Sequence, residues 1–303
     1  MKTIKNTLFI ASLIALTACG NGKNDFDASG TFEATEVIIS SEANGKLLQF
    51  NVEEGQLLES GKEVGYVDTV QLYLKKMQLL ASRKSVQSKS ADIAKQIAAT
   101  KEQINKAKFE KRRTENLIKS NAATQKQLDD IDSQIAVLEK QLAAQVSTLQ
   151  KGNTSVTEES SALDIQVAQL DDQLQKCRIS SSITGTVLAK YAEQGELAAQ
   201  GKPLFKIADI QNMFLRAYIT ADQLSHMKIG DKVKVYSDLG EKDRKEYDGV
   251  ITWISDKSEF TPKTIQTRDE RANLVYAVKI AVKNDGYLKI GMYGEMKKVE
   301  NKD

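Results

Sequence analysis

The sequence predicts an α+β fold in which a long antiparallel helical hairpin interrupts a β-sandwich and further strands follow. Three observations support this prediction. A seven-residue apolar repeat runs through the middle of the chain, short strand patterns with turn glycines lie on both sides of it, and the two flanking segments resemble each other. Strand patterns then continue to the C-terminus.

The N-terminus has the pattern of a bacterial lipoprotein signal. Lys2 and Lys5 precede the apolar run LFIASLIALTAC, which is typical of a signal-peptide core and too short to span a bilayer. Small residues lead up to Cys19 as in a lipobox, where the cysteine becomes acylated. We predict a signal peptide at residues 1–18, a lipid anchor at Cys19 and a polar tether over residues 19–30. An ordinary signal peptide with an incidental cysteine is the alternative.

The charge balance and the residue types argue against several classes of function. Removal of residues 1–18 leaves 41 basic and 41 acidic residues, so we expect no nucleic-acid partner. Once Cys19 is acylated, Cys177 is the only thiol and no internal disulfide can form. His226 is the only histidine, and no phosphate-binding loop or nucleophile elbow occurs. We therefore expect no metal, no cofactor and no enzymatic activity.

Residues 70–177 are expected to form one antiparallel coiled coil, because their apolar repeat extends over more than three heptads. Each arm of about fifty residues would be roughly 75 Å long. The polar stretch GNTSVTEESS at residues 152–161 predicts a weakened or frayed helix, with a short break as the alternative. The repeating positions are Leu72, Leu79, Val86 and Ile93, then Ile97, Ile104 and Ile118, on the first arm, and Leu128, Ile135, Leu142, Leu149, Val156, Leu163, Leu170 and Cys177 on the second.

The segments beside the hairpin read ANGKLLQFNVEEGQLLESGKEVGYVD and TGTVLAKYAEQGELAAQGKPLFKIAD. Each has a glycine, an alternating strand, a second glycine turn, a Gly-Lys turn and a closing strand that ends in Asp. Such a repeat predicts the two halves of one sandwich, at residues 31–69 and 178–209. The halves resemble those of a biotinyl/lipoyl domain. A carrier domain would need a lysine on the turn where this chain has the coiled coil, so we do not expect a carrier protein.

A lipoyl-like sandwich split by a helical hairpin, in a lipoprotein, resembles the HlyD-type periplasmic adaptors, also called membrane fusion proteins. Residues 210–303 are similar to the β-barrel domain of that family, so the resemblance covers nearly the whole mature chain. It implies a long antiparallel α-helical coiled-coil hairpin inserted into a split lipoyl-like β-sandwich, followed by a small β-barrel domain. Ser182 and Tyr293 replace prolines that are common in the family. The loop around residues 260–271 is either a barrel connection or a transporter contact.

The resemblance also implies a function. It indicates a lipid-anchored periplasmic adaptor that bridges an inner-membrane transporter to a TolC-like outer-membrane channel, and a ring-shaped homo-oligomer, often a hexamer. The short segment after Val299 favours an ABC permease over a proton-driven pump as the partner. Anchoring in the inner membrane is favoured over the outer membrane. A coiled-coil lipoprotein that scaffolds cell-wall enzymes is the alternative, and the split lipoyl-like repeat argues against it.

The reversal between the arms, RTENLIKSNAAT, carries the candidate site. Adaptors that dock on TolC-like channels have an Arg, a Leu four residues on and a Ser seven residues further at this tip. Arg113, Leu117 and Thr124 keep that spacing, with Thr in place of Ser. The resemblance therefore implies that these three residues contact the channel.

A purely structural interpretation of the same residues stays open. Thr124 and Gln127 have the capping-box form that begins a helix, after a reversal at residues 120–123. Arg113 could pair with Asp129 or Asp130 across the hairpin at little energetic gain. Leu117 has no such structural explanation, because Ile118 already occupies the seam at this level.

Overall fold

The computed structural model of the chain describes residues 26–240, 243–259 and 274–299. The predicted signal peptide, Cys19 and the loop at residues 260–271 lie outside the described residues. Within them, a helical hairpin is inserted into a β-sandwich that continues into a β-barrel, and the predicted fold class is confirmed.

The strands are β1 (Ala28–Ser40), β2 (Gly45–Phe50), β3 (Leu57–Leu58), β4 (Glu63–Val67), β5 (Arg178–Ser180), β6 (Gly185–Lys190), β7 (Leu197–Ala198), β8 (Pro203–Thr220), β9 (Lys232–Leu239), β10 (Asp243–Ile254), β11 (Val275–Lys283) and β12 (Tyr293–Lys298). The helices are α1 (Val70–Gln87), α2 (Ile93–Lys119), α3 (Gln125–Lys176) and α4 (Ala221–Leu224).

The sandwich is formed by strands from both sides of the hairpin. Each strand before the hairpin pairs with one after it, in the order β4 with β5, β3 with β6, β2 with β7 and β1 with β8. Turn glycines occupy matching places in the two halves, for example Gly61 at φ +80° and Gly201 at φ +83°, where a side chain would be strained. The buried core contains Leu47, Phe50, Leu58, Val67, Val187, Leu204, Phe205 and Ile207.

The hairpin begins and ends on two neighbouring strands of the sandwich. In the β4–β5 ladder Tyr66 lies opposite Arg178, and the Val67 amide donates to the Cys177 carbonyl at 2.8 Å. The Asp68 carboxylate accepts from the Val70 amide at 2.9 Å, where α1 begins. Both helical arms therefore leave the sandwich side by side from one paired point.

The barrel shares its two longest strands with the sandwich. Its strand order is β1-β12-β9-β10-β11-β8, and pairing of β1 with β8 closes it. The β1–β8 ladder shifts register between Glu33 and Thr35, where it passes from the barrel into the sandwich. The predicted boundary at residue 210 therefore falls inside β8. Side chains buried in the barrel include Phe32, Met213, Leu215, Ile219, Val235, Ile251, Ile280 and Met296.

The first strand begins earlier than the sequence indicated. Ala28 pairs with Met296 of β12, and Gly30 pairs with Ala217 of β8, although residues 28–30 were assigned to the tether. A Cβ at Gly30 would lie 1.9 Å from the Arg216 carbonyl oxygen. Small residues here allow two strands to approach closely. Their composition is the same as that of a flexible linker, which is why the prediction was wrong.

The two arms pack along the predicted heptad seam. On the first arm, α1 and α2, Ile97 and Ile104 are 5% and 6% exposed, and on α3 Ile135 and Leu170 are 7% and 4% exposed. Four ion pairs cross the seam, each with its cation on the first arm and its anion on α3. They are Lys76–Asp171 at 2.5 Å, Arg83–Asp164 at 2.9 Å, Lys108–Glu139 at 2.7 Å and Lys111–Asp132 at 2.7 Å.

The helical break lies in the opposite arm from the one that the sequence indicated. The second arm, α3, is one helix of 52 residues that continues through 152–161, so the expected fraying there is wrong. The first arm is instead interrupted over residues 88–92, between α1 and α2. Asp92 caps the restart, because its side chain accepts from the Lys95 amide at 3.2 Å.

The polar stretch of α3 supplies hydrogen-bond partners to this break. The Asn153 side chain accepts from the Ala91 amide at 2.8 Å and donates to the Ala91 carbonyl at 2.9 Å. The side-chain amide of Gln87 donates to the buried Ser160 hydroxyl at 3.1 Å. Backbone groups freed by the break are thus paired from the other arm, which offsets the poor helix propensity of this stretch.

We predict that Asn153→Ala destabilises the hairpin by about 1 kcal/mol, because it leaves the two backbone groups of Ala91 unpaired. Asn105→Ala is the matched control, since Asn105 is exposed and bonds to no described side chain. Both changes introduce the same better helix former. Thermal unfolding and hydrogen exchange at Ala91 measure the difference, and equal effects of the two substitutions would contradict the role of Asn153.

Candidate docking site at the hairpin tip

The chain reverses at the tip through a compact backbone motif. Helix α2 ends at Lys119, and Asn121 adopts the left-handed conformation with φ at +55°. The Ala122 amide donates to the Leu117 carbonyl at 2.9 Å, and the Asn121 amide donates to the Ile118 carbonyl at 2.9 Å. This is the Schellman pattern, with Asn in the place usually taken by glycine. The tip backbone is therefore held by hydrogen bonds of its own.

The start of α3 has the predicted capping box. The Thr124 hydroxyl accepts from the Gln127 amide at 3.4 Å, and the Gln127 side chain accepts from the Thr124 amide at 2.9 Å. The prediction that Thr124 caps this helix is confirmed. Its side chain is nevertheless exposed, so the hydroxyl remains accessible to a partner.

The three predicted site residues all reach solvent. Arg113 and Leu117 are four residues apart on α2 and so lie on one face of the helix. The Arg113 side chain is 68% exposed and Leu117 is 40% exposed. The Arg113 guanidinium lies 3.8 Å from Glu110 on the same helix. The alternative pairing of Arg113 with Asp129 or Asp130 is therefore wrong.

The seam just below the tip is closed without these residues. Ile118 and Leu128 are half-buried, one on each arm, and the next ion pair down the hairpin is Lys111–Asp132. Lys111 donates a hydrogen bond to the Asp132 carboxylate, which raises the pKa of Lys111. Leu117 is thus not needed to close the coiled coil.

Several further apolar side chains on the hairpin are exposed, among them two on its tip half that sequence reasoning missed. Phe109 on α2 is 58% exposed and Val137 on α3 is 63% exposed. Each lies between two seam positions of its helix, which is how the heptad count could have identified them. Exposed apolar residues therefore also occur away from the tip, and Phe109 and Val137 serve below as controls.

The chemistry available at the tip is that of a contact surface. Its three candidate residues present a guanidinium, an aliphatic side chain and a hydroxyl on a backbone fixed by its own hydrogen bonds. Among the described residues no cluster of His, Cys, Asp and Glu could hold a metal ion. The described helices also include none that is both long and apolar enough to cross a membrane.

We predict that Thr124→Ala lowers the stability of the hairpin by about 1 kcal/mol, because α3 loses its side-chain cap. Thr124→Ser should retain nearly full stability, since its hydroxyl can accept the same bond. Thermal unfolding followed by the helical circular-dichroism band measures both variants. An unchanged transition in Thr124→Ala would show that the capping box contributes no stability here.

Comparison with known proteins identifies relatives of similar length. No protein-family model matches the chain. A UPF0194 membrane protein of Citrobacter koseri is 27% identical over 318 residues, covering 96% of each chain. UPF0194 membrane protein YbhG of Salmonella gallinarum is 27% identical over 316 residues, covering 94% of each chain. The crystal structure of MacA from Actinobacillus actinomycetemcomitans matches with a TM-score of 0.55 and 19% identity, over 89% of this chain and 76% of that one.

Proposed function

We propose, from the premise that the chain has the fold of the HlyD-type membrane fusion proteins, that it is a lipid-anchored periplasmic adaptor. It would connect an inner-membrane transporter to a TolC-like outer-membrane channel and carry out no reaction itself. Acyl chains on Cys19 would hold it at the inner membrane. A ring of identical chains, often a hexamer in the family that the chain resembles, would form the working assembly.

The observation that carries this proposal is the separation between the hairpin tip and the β-domains. Helix α3 runs without interruption for 52 residues, which corresponds to roughly 78 Å. The two arms leave the sandwich together, so a force or contact at one end is carried to the other by a paired coiled coil. A spacer of this kind supports a bridging function better than catalysis.

At the tip, we assign the channel contact to Arg113, Leu117 and Thr124. Arg113 would donate to carbonyl or carboxylate groups on the channel, since its own helix offers only Glu110 at 3.8 Å. Leu117 would bury its exposed surface in a groove between channel helices. Thr124 would add a polar contact while it continues to cap α3.

The transporter class and the membrane are proposed on the family resemblance alone. An ABC permease is the favoured partner and a proton-driven pump is the alternative. Export that stops on ATP depletion but survives collapse of the proton gradient would favour the ABC class. A scaffold for cell-wall enzymes is the remaining alternative, and the pairing of every sandwich strand across the hairpin argues against it, because a scaffold has no need of that arrangement.

We predict that a photo-crosslinking amino acid at position 117 forms an adduct with the outer-membrane channel in intact cells. The same amino acid at position 137 should form none, although Val137 is more exposed. Arg113→Asp with Leu117→Ser should abolish export of a compound that accumulates in the deletion strain, with unchanged helicity. The physical reason is the loss of the cation and the apolar side chain that the channel binds.

The matched control for this pair is Arg112→Asp with Phe109→Ser. It likewise replaces an exposed arginine by aspartate and an exposed apolar side chain by serine on the same helix, one residue before Arg113 and eight residues before Leu117. Docking at the tip predicts normal export from the control and none from the tip variant. Undiminished export from a folded tip variant would refute the assignment of these residues.

A separate prediction concerns the anchor. Cys19→Ala should abolish incorporation of labelled palmitate and release the protein from the membrane fraction, because no thiol remains for acylation at the lipobox. Cys177→Ala is the control, since Cys177 is the only other cysteine in the chain and is buried. A Cys19→Ala protein of mature size that still fractionates with membranes would contradict the lipid anchor.

A further inference from the structure

We propose that the end of the barrel opposite the hairpin carries a docking surface for anionic lipid headgroups. The surface consists of the exposed apolar residues Ile229, Val250 and Val299 and the exposed lysines Lys228, Lys232 and Lys297. We call it the barrel-end patch. The proposal rests on the lipid anchor of the proposed function and adds a second, direct contact between the folded protein and the bilayer.

The strand order shows which end of the barrel this is. The Ser40 end of β1 pairs with Pro203 in the sandwich, next to the hairpin, whereas Ala28 at its other end pairs with Met296 of β12. Strand β8 likewise runs from the sandwich to Thr220, where α4 begins. Residues at the Ala28 end and beside α4 therefore face away from the hairpin.

The apolar residues of the patch are exposed, and two of them line one groove. Ile229, Val250 and Val299 are 65%, 39% and 40% exposed. Val250 lies opposite Lys232 in the β9–β10 ladder, and both line a groove of about 760 Å³ together with Val299. Gly230, next to Ile229, borders the same groove and is held to β10 by its amide, which donates to the Ile251 carbonyl at 2.8 Å.

The lysines of the patch have charge available for a partner. Lys228, Lys232 and Lys297 form no ion pair with another described residue, whereas Lys234 beside them bonds Asp248 at 2.8 Å. The Asp231 carboxylate, which also lines the groove, accepts from the Lys228 backbone amide at 2.9 Å and keeps its negative charge, so the three lysines outnumber it. Lysines around a small apolar surface are typical of proteins that bind a membrane interface containing anionic lipids.

The N-terminal segment places this patch close to the bilayer. Phe26 packs against Tyr236 at 5.2 Å between ring centroids. Tyr236 lies on the same outer face of β9 as Lys232, because Val233 and Val235 between them are buried in the core. Cys19 precedes Phe26 by seven residues, which can span at most about 25 Å. An acylated Cys19 therefore keeps this face of the barrel near the headgroups.

The test is vesicle binding by the chain from residue 19 onward with Cys19→Ser, so that no acyl chain contributes. We expect sedimentation with vesicles that contain phosphatidylglycerol, little with pure phosphatidylcholine, and release at high salt. Lys232→Gln with Lys297→Gln should weaken binding about 25-fold, at roughly fivefold per lysine. Ile229→Ser should weaken it without changing the salt dependence.

The matched control is Lys62→Gln with Lys283→Gln, two exposed lysines on the sandwich and on the sandwich side of the barrel. It should bind as the unchanged chain does. No binding, or an equal loss in the control, would overturn the proposal. Patch variants that keep vesicle binding but no longer crosslink to the inner-membrane transporter would also overturn the proposal, because they would identify the patch as a protein contact. Acylation of Cys19 and crosslinking at the tip are measured separately, so the adaptor function can stand if this surface fails.

Discussion

The pairing of β4 with β5 is the constraint on which the rest of the molecule depends. These two short strands are separated by the whole hairpin in sequence, yet the Val67 amide donates directly to the Cys177 carbonyl. Cys177 is fully buried at that point, and burial raises the pKa of its thiol, so it serves as an apolar core residue. Because the arms start and end there, this pairing fixes their alignment at the base of the coiled coil.

Charge then selects which faces of the arms meet. The first arm, residues 70–119, has 13 basic and four acidic residues, and the second, residues 125–176, has four basic and nine acidic. Every ion pair described between the arms follows this polarity. Each exposed pair contributes little to stability, but two like arms facing each other would repel. The apolar seam supplies the stability and the charges specify the antiparallel partner.

Much of this architecture could be predicted from the sequence because it depends on periodicity. Heptads identified the hairpin, the internal repeat identified the split sandwich, and Thr124 with Gln127 identified the capping box. The break at residues 88–92 was missed because Val86 and Ile93 remain seven residues apart across it. Its partner Asn153 was visible only as poor helix propensity in the opposite arm. At both places hydrogen bonds between the arms stabilise the local structure, and such contacts leave no periodic pattern in the sequence. At the tip, the exposure of Arg113 and Leu117 followed from the heptad phase, whereas their binding partner is a matter of proposal.

One continuous helix holds the tip far from the β-domains, and a single distance tests this arrangement. Spin labels at the exposed residues Gln125 and Gln175, in a Cys19→Ser background where Cys177 is buried, should give a narrow distribution near 75 Å, the length of about fifty helical residues. A distribution centred tens of ångströms lower, or one broadened by a break within residues 152–161, would contradict the account.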